Sequence, residues 1–294
     1  MMSTGEACLQ TTGPGIFRWQ GAPRYGRQDL GFTPGGAQDR FALASGNAIL
    51  DNPPLHSALE IVHPPPAVRF TKECLFVLTG GALQAELHHG DGPESPPVAV
   101  EHAVAYLAPA GSELFLYGRL YGWRTYLCVR AVPDPEAVRR VEGRRRGSFQ
   151  DVARWPDRDG RIRVLEGPEY RALDDPDEFF SIPWRTGNDM SDVGMRLEGS
   201  PALKTNDEQL ISGPVCDGTI QLTPAGPIIL LRDRQTVGGY PRIFVVISAD
   251  VDLLAQYGPG HRVRFVKVDI AEARRAAAVW QQDLTRLTDR VSAS

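Results

Sequence analysis

Between two short apolar runs, Pro227 to Leu231 and Ile243 to Ile247, the chain carries the polar stretch Arg232-Asp233-Arg234-Gln235-Thr236-Val237-Gly238-Gly239-Tyr240-Pro241-Arg242. Arg234 and Arg242 offer planar guanidinium forks that match a carboxylate or a phosphate. Gln235, Thr236 and Tyr240 add hydrogen-bonding groups. Gly238 and Gly239 let the backbone take positive φ and approach a ligand closely. Such a set would bind an acidic small molecule and stabilise developing negative charge. The same residues also read as a solvated loop closed by an internal Arg–Asp pair, and composition alone does not choose between the two.

Four further positions carry chemistry. Gln221 is the polar member of the apolar run Ile220-Gln221-Leu222 and needs a partner. Arg196 alternates with Met195 and Leu197, which puts it on one face of a strand. Asp39 precedes Arg40 to Leu50 and reads either as a helix N-cap or as an acid–base residue. Glu60, an acid among apolar neighbours, reads as a satisfied core group or as a second acid–base residue. His88 and His89 open a hairpin tip that runs on to Gly92. They are adjacent, but neighbours on a strand point to opposite faces and no acid or Cys lies at ligand spacing, so no metal site is expected. His56, His63, His102 and His261 stand alone and read as structural.

DRQTVGGYPRI followed by VVISAD resembles the carboxyltransferase family called allophanate hydrolase subunit 2, whose members include the C subunit of bacterial ATP-dependent 5-oxoprolinase and the carboxyltransferase domain of urea carboxylase. Met195 to Gly199, Gly218 to Gln221 and Gln256 to Phe265 continue the resemblance, as do Gly35 to Asn52, Ala58 to Ile61 and Leu78 to Leu83. The resemblance implies two cyclophilin-like β-barrel halves around a shared cleft. It implies ATP-dependent opening of 5-oxo-L-proline to L-glutamate, with ATP handled together with A- and B-type partner subunits. It adds Arg24 to the substrate-binding set of Arg196, Gln221, Arg234, Gln235, Thr236, Gly238, Gly239, Tyr240 and Arg242, and gives Asp39 and Glu60 the catalytic role. Alternatives from the same family are a non-catalytic regulator that binds a kinase-inhibitor-type protein, and a carboxyltransferase acting on urea or a related amide with a biotin protein. No segment resembles a biotin-carrying Met-Lys-Met, so no covalent biotin is expected on this chain. The sequence departs from the family pattern at Gly21, where the family has an acid, at Gly35 and Gln38, which replace Ser and Met, and at Asp192, which takes the place of an Arg. The family's Gly-Gly-Ile and Ser-Arg-Ser-Thr elements have no counterpart in the stretch from Pro133 to Asp159.

The elements that must position these residues are strands. Many short apolar runs among 30 Gly and 24 Pro predict a mainly β fold with few short helices. Strands are expected at Ile16–Trp19, Glu60–Val62, Val68–Phe70, Leu75–Leu78, Leu83–Leu87, Leu114–Tyr117, Tyr126–Val129, Arg161–Leu165, Ile220–Leu222 and His261–Val266. A short amphipathic helix is expected after Asp39, a helical turn within Asp174–Phe180, a helix at Val251–Tyr257 capped by Asp250, and a C-terminal helix from Ala271 to Leu287. Met1 to Gly13 reads as a loose lead. The expected domains are residues 1–132, a basic Gly-rich linker at 133–160 containing Arg144-Arg145-Arg146, a second half at 161–268 and a terminal helix at 269–294. The 294 residues carry a net charge of −4, which argues against general nucleic-acid binding. The four cysteines are scattered with no C-x-x-C, there is no signal-peptide pattern and no run of membrane length, so a reduced, cytoplasmic setting is expected. P-loop and G-x-S-x-G motifs are missing, which leaves nucleotide chemistry to partners.

Overall fold

The computed structural model describes residues 8–89, 96–131, 160–200, 203 and 210–293. The expected turn at Gly90-Asp91-Gly92 and the linker up to Asp159 lie outside them. The described residues fall into two compact units. The first draws on Met1–Ala22, Asp39–Arg154 and Gln282–Ser294, the second on Pro23–Gln38 and Trp155–Gln281. Residues 23–38 thus belong to the second unit although they precede most of the first in sequence.

The first unit is an eight-stranded sheet, a half-barrel, of β1 (Leu9–Thr12), β2 (Ile16–Gln20), β3 (Ala58–His63), β4 (Ala67–Phe70), β5 (Cys74–His88), β6 (Val98–Ala99), β7 (Tyr106–Ala108) and β8 (Glu113–Ala131). β1 corrects the expected loose lead: it pairs with β4 from Leu9↔Phe70 to Thr12↔Ala67. Four expected strands merge into two long ones, because β5 and β8 pair almost end to end, from Cys74↔Ala131 to His88↔Glu113. The long pair bends where the register shifts between Gly80 and Ala85. Gly80 sits there at φ 75°, and a Cβ on it would lie 2.6 Å from the Arg124 carbonyl oxygen, so only glycine fits. Helix α1 (Arg40–Ile49) packs on β5 and β8. It is not amphipathic in practice, since every residue from Phe41 to Ile49 is buried. Gly46 allows the close approach: a Cβ there would meet Cys128 Sγ at 2.6 Å. Leu59, Phe70, Phe76, Leu78, Leu114 and Leu127 are among the residues of this unit's core.

The second unit is a closed barrel, ordered β10-β11-β14-β13-β16-β9-β17. Its strands are β9 (Arg161–Glu166), β10 (Trp184–Met190), β11 (Gly194–Glu198), β13 (Thr219–Thr223), β14 (Gly226–Leu230), β16 (Arg242–Val246) and β17 (Arg262–Lys267). A separate two-stranded ribbon pairs β12 (Gly213–Pro214) with β15 (Val237–Gly238). The helices in this part of the chain include α2 (Glu178–Ser181), α3 (Ser248–Leu254) and α4 (Ile270–Ala293). Phe179 from α2 fills the barrel interior against Trp184, Phe244 and Phe265, with ring centroids 4.6–5.3 Å apart. Two expectations need correction. The α2 turn begins later than Asp174, at Glu178. Asp250 does not cap α3: the helix begins at Ser248, and the Asp250 carboxylate instead grips Arg163, with Nη2 to Oδ1 at 2.6 Å. Among the described residues, no helix is long and apolar enough to cross a membrane.

Candidate functional site

The two apolar runs flanking the Arg-rich loop become β14 and β16, but they do not form a hairpin. β13 lies between them and pairs with both. Register then sets the chemistry. Met195, Ile229 and Ile220 face the barrel core in one row, and the next row places Arg196, Ile228, Gln221 and Arg242 side by side on the outer face of β11, β14, β13 and β16. A bulge makes this row possible. Pairing runs from Ile220↔Phe244 to Gln221↔Arg242, so the extra residue Ile243 turns inward and Arg242 comes opposite Gln221.

The loop covers this row. Gln221 is 1% exposed and satisfied at both ends of its amide. Its Nε2 donates to the Tyr240 carbonyl at 3.2 Å, and its Oε1 accepts from Gln235 Nε2 at 3.3 Å. Gly238 and Gly239 do not take positive φ, contrary to the sequence expectation. The value of Gly238 is room: a Cβ on it would sit 2.4 Å from Gln221 Nε2, whereas one on Gly239 would meet Ser212 Oγ at 3.2 Å. Arg242 forks onto Glu169 within the protein, with Nε to Oε2 at 2.7 Å, and its Nη1 donates to the Pro214 carbonyl at 2.8 Å. The pair depresses the Glu169 pKa and raises that of Arg242, chiefly through their mutual hydrogen bond. Arg196 is held by Asp189 at 3.3 Å and Thr223 at 3.2 Å. Of the loop's expected hydrogen-bonding groups, Gln235 faces solvent, Tyr240 does so at 48% exposure and Thr236 in part.

Beside the loop lies a buried ionic cluster. Arg232 donates to Asp252 Oδ1 at 2.6 Å, to Asp217 Oδ2 at 3.1 Å and to the Gln38 carbonyl at 3.0 Å. Burial opposes the guanidinium charge, but the Asp252 and Asp217 carboxylates outweigh it and the pKa is raised. Asp217 Oδ1 also meets Arg234 Nε at 3.1 Å, and Trp280 Nε1 donates to Asp252 Oδ2 at 2.8 Å. The Arg232 carbonyl accepts from Gly35 N at 3.0 Å and Thr33 Oγ1 at 2.9 Å. Residues 33–38 are thereby wrapped around Arg232. Gly35 and Gly36 are left-handed, with φ 60° and 85°, and a Cβ on Gly35 would lie 3.2 Å from Asp233 Oδ1 and 3.4 Å from Arg24 Nη2. This places the exposed Arg24 guanidinium next to the Arg232 knot.

In the first unit, Asp39 and Glu60 are brought together through a residue the sequence reading missed. Tyr126 donates from its hydroxyl to Glu60 Oε2 at 2.6 Å and accepts from Asp39 N at 2.7 Å. Asp39 Oδ1 caps α1 by accepting from Ala42 N at 2.8 Å, as expected. Arg124 Nε stands 3.5 Å from Glu60 Oε1, and both side chains are at most 2% exposed. Tyr126 is fully buried, and burial together with the Glu60 and Asp39 charges holds its phenol protonated far above the usual range. A phenol locked in this way can relay orientation but cannot serve as a base near neutral pH.

The sequence reading also missed Glu169, Asp217 and Gln38. One signal was available. Three arginines on one loop demand acids, and Asp217 and Asp252 flank that loop in sequence. Glu169 and Gln38 arrive through turns that carry no periodic signal. Among the described residues, no group of three His, Cys, Asp or Glu side chains converges as a metal site.

A closed seven-stranded barrel accompanied by a half-barrel sheet is the architecture of urea-carboxylase-type carboxyltransferases. The Kluyveromyces lactis urea amidolyase structure superposes with a TM-score of 0.78 over 95% of this chain at 19% identity, and this chain spans 20% of that one. The K. lactis urea carboxylase structure gives the same TM-score of 0.78 at 18% identity, again over 95% of this chain and over 29% of that one. The chain belongs to the family of the carboxyltransferase domain, subdomains A and B, which it matches over residues 30–139 and 134–267. It is 31% identical to the C subunit of the Escherichia coli 5-oxoprolinase, over 92% of this chain and 94% of that protein. It is 28% identical to the C subunit of the Haemophilus influenzae 5-oxoprolinase, over 90% of this chain and 94% of that one. The Saccharomyces cerevisiae urea amidolyase is 23% identical over 85% of this chain but only 16% of its own length.

Proposed function

We propose that this chain is the C-type subunit of a 5-oxoprolinase assembly, acting in the cytoplasm with A- and B-type partner subunits to open 5-oxo-L-proline to L-glutamate with hydrolysis of ATP. The observation that carries this reading is the end-to-end match, 92% of this chain on 94% of the E. coli protein, against the small fraction of the urea enzymes that the chain spans. The substrate is a small amide bearing one carboxylate. The outer row and its loop suit it: Arg24, Arg196, Arg234 and Arg242 supply positive charge, and Gln221, Gln235, Thr236 and Tyr240 supply amide and hydroxyl partners. Gly238 keeps the loop low over Gln221 in the row, and Gly239 lies beside Ser212. Asp39 is the acid–base candidate, with Glu60 fixing it through Tyr126. ATP is bound with the partner subunits.

A second reading, carboxyl transfer to urea or a related amide from a biotin protein, is favoured by the family's name and by the fold likeness to urea amidolyase. The two separate in one assay. Phosphate release from ATP is followed with this chain mixed with the A- and B-type subunits of the same genome, with and without 5-oxoproline. Stimulation that requires this chain, and that falls at least tenfold in Gln235→Ala and Arg242→Ala, supports the 5-oxoprolinase reading. Release that responds instead to urea with a biotinylated carrier establishes the second. A stable complex with no stimulation by either leaves a regulator that acts by binding.

A further inference from the structure

The opposite wall of the barrel, β10, β17 and β9, carries a feature the candidate site does not use. Register pairs Arg185 directly with Arg262, and Arg264 directly with Arg161. The inward partners fix the facing: Trp184, Val263, Phe265 and Ile162 are all buried, while the four arginines between them are exposed. With strands about 5 Å apart and alternate residues about 7 Å apart, four guanidinium groups share one small patch. Like charges directly opposite on a sheet are destabilising. Among the described residues, no carboxylate forms an ion pair with Arg185, Arg262 or Arg264, and Arg185 donates to the Gly260 carbonyl, at 3.1 Å. Glu198 stands opposite Arg185 on β11 but does not pair with it. A chain of net charge −4 keeps Arg185 directly opposite Arg262 here, although like charges so placed disfavour the sheet.

The geometry points to a docking surface for a partner protein whose face presents clustered Asp and Glu carboxylates. Charge complementarity fixes the class. Arginine forks match carboxylates in pairs and are enriched at the centres of interfaces. The outer wall of a closed barrel is convex, so it fits a broad acidic face. The negative chain as a whole disfavours a nucleic acid. The inference rests on the assembly reading above and names the surface through which an A- or B-type subunit engages this chain.

The test is a titration of the full-length chain against those subunits by calorimetry at two salt concentrations, using wild type and Arg262→Glu/Arg264→Glu. The expected result is a Kd at least tenfold weaker in the double variant, with a smaller salt dependence. Its melting temperature should be unchanged or higher, because each new Glu faces an arginine. Loss of binding with retained or raised stability is a signature that a purely structural role would not give. An unchanged Kd in the double variant would overturn this inference alone. No complex with wild type would overturn the assembly reading and this one together. Tighter binding of a duplex oligonucleotide than of either subunit, lost in the same variant, would overturn it in favour of a nucleic acid.

Discussion

His102 shows how surroundings decide the charge of a single side chain. Its Nε2 accepts the Leu83 N–H at 3.1 Å, which needs a neutral ring. Burial lowers its pKa from 6.5 to about 4; the Leu83 backbone contact opposes this, and the Arg119 charge adds a smaller push downward. The folded state therefore binds fewer protons than the unfolded chain between these values. Stability is complete above about pH 6.5 and falls as the pH drops toward 4, by up to about 3 kcal/mol. Urea denaturation between pH 4 and 7 should show this slope for wild type and a flatter one for His102→Gln; equal slopes would mean that the ring titrates normally. The sequence placed His102 as structural but gave no hint of its partner, since the contact spans a strand register that no local pattern encodes.

At the scale of elements, Asp39 separates capping from catalysis. Its carboxylate holds the first turn of a helix whose residues from Phe41 to Ile49 are all buried, so fraying there opens the core. Asp39→Ala should cost about 1 kcal/mol in denaturant unfolding, with an upper range of about 2. Asp39→Ser keeps a cap and should recover most of that stability. If Asp39 is an acid–base residue, Asp39→Ser leaves 5-oxoproline-dependent turnover lost; recovery of both together would reduce Asp39 to a cap. This helix start was legible because a cap, an apolar run and its length agree locally. The strands from Glu60 to Val129 were legible as pieces, and β9, β13 and β17 nearly as they stand. What the sequence hid was non-local. The bend at Gly80 joins two apparent strands into one, β1 exists only through pairing with β4, and the bulge before Arg242 aligns Arg196, Gln221 and Arg242. The positive φ expected at Gly238 and Gly239 failed for a related reason, because a glycine can be required by a neighbour's side chain instead of by its own backbone.

At the scale of the whole molecule, chain order and spatial order diverge at residues 23–38, and Arg232 is the residue that makes this possible. It joins segments around Gln38, Asp217 and Asp252, and through Asp252 reaches Trp280 on α4. The cluster is complete only when both an early and a late stretch of chain have arrived at this one guanidinium. The energetics follow from burial. Arg232 and Asp252 are 5% and 3% exposed, and removing one member of such a pair leaves an uncompensated charge that costs about 3–5 kcal/mol. Arg242 and Glu169 are each 18% exposed and better able to rehydrate, so breaking that pair should cost distinctly less. Arg232→Met should therefore lower the unfolding free energy by about 3–5 kcal/mol. It should also release residues 23–38 first, because Gly35 and Thr33 are tied to the Arg232 backbone and Gln38 to its side chain. Trypsin reports this directly: cleavage after the exposed Arg24 and Arg27 should accelerate in Arg232→Met under conditions where the barrel strands stay intact. Arg242→Met, digested in parallel, should nick there at the wild-type rate. Equal nicking in all three proteins, with an Arg232→Met penalty under about 1 kcal/mol, would mean that the segment is held by its backbone alone and that the buried charges contribute nothing net to its place in the fold.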